Sequence, residues 1–148
     1  MSGRRSRNKG ARAERSVIRE LQPVVSEVYR EFGLEPPELA RNLMQAYRGG
    51  FDIVGLDWLA LEVKHQERQN LREWWRQTKQ QAGEGKEPVL IYKRNNVAWR
   101  VRMFGYLPVG SKRIRCPVDI DLPTFLLYVR ERIRSELFKS GRRPRAAI

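Results

Sequence analysis

The sequence predicts an α/β sandwich, in which helices flank a central mixed β-sheet. Three amphipathic helical segments alternate with two pairs of strand-like segments along the chain, an order typical of layered α/β folds. The length of 148 residues is sufficient for one hydrophobic core. We therefore expect a single domain at residues 10–140, with a basic flexible arm at residues 1–9 and a basic tail, expected to be disordered, at residues 141–148.

The first predicted helix begins at Gly10, after an arm that contains no apolar anchor. Pro23 is expected to kink or divide this helix. Glu14 lies one turn before Ile18, beside the apolar stripe, where a carboxylate is either an ordinary solvated charge or directed toward the sheet. The stripe recurs at steps of three and four residues, at Val17, Leu21, Val24, Val28 and Phe32.

The next segment, residues 34–49, is predicted to form a turn followed by a short helix or loop. A β-hairpin comes after it, with its turn at residues 55–57. Side chains alternate faces along a strand, so Glu62 and Lys64 project from the same face. Folding the hairpin brings Asp52 beside Glu62, which places two carboxylates and an ammonium group at one site.

Downstream, Asn70 is predicted to cap a helix that ends at Gly83. Trp74 and Trp75 on this helix are assigned to the core or to an interface, in preference to a base-stacking surface. The remaining predicted elements are strands at residues 88–93 and 98–104 joined by a turn at Asn95-Asn96, a basic loop with Lys112, Arg113 and Arg115, and a helix from Asp121 to Phe138.

The composition predicts a nucleic-acid partner. Thirty Lys and Arg residues against 17 Asp and Glu residues give a net charge of +13, which attracts polyanions. No apolar stretch is long enough to span a membrane and no signal peptide is recognisable, so we expect a cytoplasmic protein without membrane contacts. Cys116 and His65 are the only residues of their types, which excludes an intrachain disulfide and a cysteine-rich zinc site.

The carboxylates near the hairpin favour a hard divalent cation such as Mg²⁺ as cofactor. Mg²⁺ prefers carboxylate and water oxygens, and a bound ion polarises phosphoryl oxygens and activates water. An ammonium group such as that of Lys64 stabilises the negative charge that develops. The same three charges also occur by chance on solvated strand edges. The pattern alone is therefore consistent with a metal site and with an ordinary solvated surface.

Four blocks in order resemble the archaeal-type Holliday junction resolvases of the PD-(D/E)XK nuclease superfamily, which also occurs in phages. The resemblance runs across residues 9–104. Its blocks are Lys9-Gly10-Ala11-Arg12-Ala13-Glu14-Arg15, Gly50-Phe51-Asp52-Ile53-Val54-Gly55, Leu61-Glu62-Val63-Lys64, and Gln77 on a helix before Pro88-Val89-Leu90.

The resemblance implies a restriction-endonuclease-like fold and a homodimer that cuts four-way DNA junctions by paired symmetric nicks with Mg²⁺ or Mn²⁺. A dimer would also suit the apolar residues of the Trp74 and Trp75 helix. By the resemblance Glu14, Asp52 and Glu62 are the metal ligands, Lys64 is the catalytic lysine and Gln77 supports the site. Candidate nucleic-acid contacts, from their charge and position, are Arg4, Arg5, Arg7, Lys9, Arg12, Arg48 and Gly49.

Two functional hypotheses remain open at this point. The first is a structure-selective DNA endonuclease, with junctions favoured over flaps, forks or plain duplex. The second is a non-catalytic nucleic-acid-binding protein with a nuclease-like fold, which the positive charge supports equally well. The carboxylate cluster favours the first, because adjacent carboxylates repel each other and repel phosphate unless a metal neutralises them.

Overall fold

The structure, a computed structural model, describes residues 2–44 and 50–146. Its helices are α1 (Ser2–Glu31), α2 (Leu71–Ala82) and α3 (Leu122–Lys139). Its strands are β1 (Ala40–Arg41), β2 (Ile53–Val54), β3 (Leu59–His65), β4 (Glu87–Lys93), β5 (Arg100–Val109) and β6 (Lys112–Asp121).

The six strands form one sheet in the order β1-β2-β3-β4-β5-β6. The β3 and β4 strands are parallel, and α2 makes the crossover between them, whereas the other neighbouring pairs are antiparallel. The fold prediction is therefore confirmed: the chain is an α/β protein with a mixed sheet flanked by helices, compatible with a restriction-endonuclease-like fold.

The sheet separates two apolar clusters. On one face, α1 and α3 pack against alternate residues of β3, β4 and β5, including the fully buried Leu61, Ile91 and Val101. On the other face, Trp74 and Trp75 of α2 pack against the intervening residues of β4. Glu62 and Lys64 alternate with Leu61 and Val63, so they belong to the α2 face of the sheet.

The first helix begins at Ser2, not near Gly10, and the expected flexible arm is its first two turns. Neither Gly10 nor Pro23 interrupts it, and around Pro23 the helix is packed on both sides, through Leu21 and Val25. The predicted stripe differs from the buried face at one position: Val25 is fully buried, as are Val17 and Val28, whereas Val24 is only partly buried.

The predicted basic loop at Lys112, Arg113 and Arg115 is wrong, since these residues lie in β6. The β5 and β6 strands pair over ten positions, through a turn in which Gly110 adopts a positive φ of 58°. The outer half of this hairpin pairs beyond the end of β4, so both of its faces are exposed. A strand that has no buried face lacks the apolar alternation by which strands are recognised.

The basic tail also differs from the expectation of disorder. The backbone N–H of Arg145 donates to the carbonyl of Glu31 at 2.7 Å, which places this part of the tail against the end of α1. Neighbouring α3 is fixed to the same end of α1 by the bidentate contact of Arg134 with Glu31. Among the described helices, none is both long and apolar enough to cross a membrane.

Candidate functional site

The β2–β3 hairpin places Asp52 beside Glu62, as the sequence predicts. The backbone N–H of Asp52 donates to the carbonyl of Leu61 at 2.9 Å, and Ile53 pairs with the same residue. The turn requires Gly55, whose φ is 135° and whose Cα approaches Leu39 so closely that a Cβ would lie 2.7 Å from its side chain. Hairpin geometry therefore determines the separation of the two acids.

The carboxylate of Asp52 is oriented by the backbone of β3. Its Oδ2 accepts a hydrogen bond of 2.8 Å from the N–H of Val63, the residue between Glu62 and Lys64. Because β2 is only two residues long, the N–H of Val63 donates to this side chain and not to the backbone carbonyl of a further strand residue. The short strand thus directs a carboxylate at the position where β3 presents its charged side chains.

Glu62 and Asp52 are both buried, with 4 % and 7 % of their surfaces exposed. Burial, the negative charge of Asp52 and a hydrogen bond to its carboxylate together raise the pKa of Glu62 to about 9, against the opposing charge of Lys64. At neutral pH Glu62 is therefore protonated and donates to Asp52. The protonated Glu62 therefore adds no negative charge beside Asp52.

Glu14 of α1 contributes a third carboxylate to the same electrostatic site. Its Oε2 accepts a hydrogen bond of 2.5 Å from Nε of Arg41, on β1. Burial raises the pKa of Glu14, and so does the charge of Asp52, while the contact with Arg41 lowers it. In residues 2–44 and 50–146, no three Asp, Glu, His or Cys side chains are arranged to enclose a metal ion. Arg41 is the group that engages Glu14 instead.

Gln77, the predicted supporting residue, and Gln81 on the same helix differ in what they contact. Gln77 donates to Glu73 on its own helix, at 3.4 Å. The side-chain amide of Gln81, one turn later, faces the carboxyl group of Glu62 and the carbonyl of Gly50; with its nitrogen turned toward these two oxygens it donates to both, to Gly50 at 3.1 Å. Gln81 is therefore the glutamine that joins α2 to the acid pair. Lys64 is half-buried, and its charge acts directly on Glu62.

The predicted nucleic-acid contacts are distributed along the N-terminal part of α1. Arg4, Arg5, Arg7 and Arg12 are exposed and Lys9 is half-buried. Arg48 and Gly49 lie outside the described residues. The helix thus presents its cations in the turns that precede and include Glu14.

Sequence reasoning missed the roles of Arg41 and Gln81. The contact of Arg41 with Glu14 joins residues 27 positions apart, through a two-residue strand that has no apolar alternation. Gln81 shares a helix face with Gln77, so spacing alone did not distinguish them.

The donor set fits a hard divalent cation. Asp52 and Glu62 present adjacent carboxyl oxygens, and Mg²⁺ is commonly held by one or two carboxylates together with water and substrate phosphate. A cation bound between the two acids would take the place of the Glu62 proton, because it also reduces the repulsion between the two carboxyl groups. Glu14 would complete a three-acid set after release from Arg41.

Comparison with known proteins gives one match. The model of a family described as "Phage putative PDDEXK endonuclease" matches residues 5–108, which include every residue of the acid site. No curated protein and no solved structure matches this chain.

Replacing Glu62 by Gln should change how stability depends on pH in metal-free buffer. Because the folded-state pKa of Glu62 lies above its unfolded value, folding takes up a proton between about pH 4.5 and 9, and the stabilisation present at low pH is lost as pH rises. The free energy of unfolding falls by at most about 1.4 kcal/mol per pH unit through this effect, and we expect Glu62→Gln to remove the fall. Urea unfolding from pH 5 to 8 measures it.

The matched control is Glu84→Gln, which neutralises an exposed acid beyond the end of α2. Its stability should follow the wild-type pH dependence. If the Glu62→Gln and wild-type curves ran parallel, Glu62 would be ionised in the folded protein and the shared proton would be excluded.

Proposed function

The chain belongs to the phage PDDEXK endonuclease family, and from this premise we propose that it is a divalent-metal-dependent DNA endonuclease that resolves four-way junctions. The observation that supports catalysis most directly is the buried, hydrogen-bonded pair of Asp52 and Glu62, with Lys64 two positions along the same strand face. A protein that only binds DNA gains no affinity from a buried acid pair, because its charge repels phosphate.

We propose Asp52 and Glu62 as the ligands of Mg²⁺, with Mn²⁺ as a substitute and Glu14 as the third ligand. When bound, such an ion polarises the phosphoryl oxygens and lowers the pKa of a coordinated water. The backbone N–H of Val63 holds Asp52 in place, and Glu62 gives up its proton on binding. DNA approaching the site would offer Arg41 a phosphate in exchange for Glu14.

Lys64 and Gln81 are assigned the roles that their positions favour. Lys64 lies on the same face of β3 as Glu62, where its ammonium group can orient the attacking water and stabilise negative charge on the phosphate. Gln81 donates to Glu62 and to the carbonyl of Gly50, so it holds α2 and the segment before β2 around the acids. It is therefore a positioning residue.

Paired nicks across a junction require two active sites, and we propose a homodimer to supply them. Trp74 and Trp75 are buried inside the chain and do not offer an interface. Exposed apolar side chains occur instead on the outer half of the β5–β6 hairpin, where Leu107 and Ile114 are directly paired and each is 53 % exposed. A second copy is the partner that would cover them.

Neutral replacements of the acid pair should abolish cutting and preserve binding. Asp52→Asn and Glu62→Gln each remove a proposed metal ligand, so we expect cleavage to fall by at least about two orders of magnitude, as for other lost transition-state contacts. DNA affinity should stay equal or increase, since negative charge is removed near the phosphates. Gel-based cleavage and fluorescence anisotropy measure the two effects. Full activity of either variant would refute the assignment.

The two glutamines provide a matched pair on one helix. Gln81→Ala should lower the cleavage rate and lower the metal affinity by about 10- to 100-fold, because it removes a donor that orients Glu62. Gln77→Ala should leave both unchanged. Rates measured across a Mn²⁺ titration separate them, and the opposite ranking would restore Gln77 as the supporting residue.

Substrate choice is tested with a labelled four-way junction beside its matching linear duplex, in Mg²⁺ and in EDTA. We expect symmetric paired nicks in the junction, dependent on Mg²⁺ and absent in Glu62→Gln. Equal cutting of the duplex would retain the nuclease and contradict junction selectivity. Binding without cutting of either DNA would favour the non-catalytic alternative.

A further inference from the structure

A basic cavity of about 500 Å³ lies on the opposite side of β3 from the acid pair. It is enclosed by the N-terminal part of α1, by the ends of β3 and β4, and by Trp99. Four of its lining side chains are cationic and none is a carboxylate; the cations are Lys9, Arg12, Arg19 and Lys93. Such a lining is complementary to an anion.

The helix side of the cavity is a regular row. Lys9, Arg12, Ser16 and Arg19 follow at steps of three, four and three, so they share one face of α1 and span about 15 Å. On one strand of duplex DNA, a phosphate charge occurs every 3.4 Å along the axis. A row of this length is longer than one phosphate and can contact more than one phosphate of a strand.

The opposite wall is held in position by aromatic contacts. Lys93 pairs with His65 across β3 and β4, and its ammonium group lies 5.2 Å from the ring centroid of Trp99. His65 packs edge-on against the same ring, with centroids 6.0 Å apart. The cavity thus has one wall held by aromatic contacts, which faces the row of cations on α1.

The cations of the cavity have no carboxylate partners in the described part of the chain. None of its four cations forms an ion pair with a carboxylate of residues 2–44 or 50–146, although Arg41, Arg102 and Arg134 do so elsewhere. Converging like charges are unfavourable, and an oxyanion bound among them would offset their repulsion.

The cavity is adjacent to the acid site along two elements. His65 follows Lys64 on β3 and projects from the other face of the strand, while Arg12 precedes Glu14 on α1 by two positions. An extended polyanion could therefore contact both places at once.

We propose that this cavity binds successive backbone phosphates of the DNA that flanks the cut site, through Arg19, Lys93 and Ser16 as well as Lys9 and Arg12. The proposal rests on the nuclease function above and adds a second anchoring point to it. Backbone phosphates are assigned in preference to a terminal phosphate, because the row of cations is longer than one phosphate requires.

The test measures anisotropy of a labelled duplex whose ends are closed by hairpin loops, in EDTA, over a range of NaCl concentrations. Arg19→Gln/Lys93→Gln removes two cations from the cavity. We expect the slope of log affinity against log salt to fall by about 1.8, equivalent to roughly 60-fold weaker binding at 0.1 M salt. The matched control, Arg30→Gln/Arg142→Gln, removes the same charge near the opposite end of α1, about 32 Å from Lys9.

Equal slopes of log affinity against log salt for the two double variants would overturn the proposal. The nuclease function is judged separately, since cutting of DNA by the wild-type protein in Mg²⁺ would still support it. A loss seen only with linear DNA bearing terminal phosphates would overturn the assignment to a continuous strand. Ser16→Asp provides an independent variant, since its carboxylate would pair with the cations and should also reduce the slope. Thermal unfolding in EDTA checks the fold of each variant.

Discussion

The hydrogen bond between the buried carboxyl groups of Asp52 and Glu62 is the interaction that organises this molecule. It requires that one acid keep its proton at neutral pH, and burial together with the charge of Asp52, which raise the pKa of Glu62 to about 9, provide that condition. The surrounding structure sustains the pair: Val63 donates to Asp52, Gln81 donates to Glu62, and the Gly55 turn determines the spacing of the strands. A pair in which Glu62 keeps its proton can be held in a folded core that two ionised carboxylates would disrupt.

Like charges are grouped in this fold on both sides of β3. The acids converge on the α2 side and at the edge near β1, whereas cations without carboxylate partners converge on the opposite side beneath α1. Each group is unfavourable by itself, and each would be compensated by what a nuclease brings together, a divalent cation and the phosphates of its substrate. The ion pair of Arg41 with Glu14 links the group of acids to the group of cations, because Arg41 neutralises an acid and can also be attracted by phosphate.

Local sequence signals predicted the parts of the fold that depend on local physics. The hairpin of Asp52 and Glu62 and the helix from Asn70 to Gly83 follow from strand alternation, a side-chain cap and glycine, all of which act within a few residues. The β6 strand was missed because its outer half buries nothing, and the start of α1 was misplaced because basic residues continue a helix readily. The contacts of Arg41 and Gln81 depend on tertiary packing, so no spacing in the sequence could identify them.

The most direct test is isothermal titration of Mn²⁺ into the wild-type protein at pH 7, in two buffers of different ionisation enthalpy. Binding at the acid pair must displace the proton of Glu62, so we expect release of about one proton per bound ion, and none from Glu62→Gln. Binding without proton release, or binding that Glu62→Gln leaves unchanged, would contradict the assignment of this pair as the metal site.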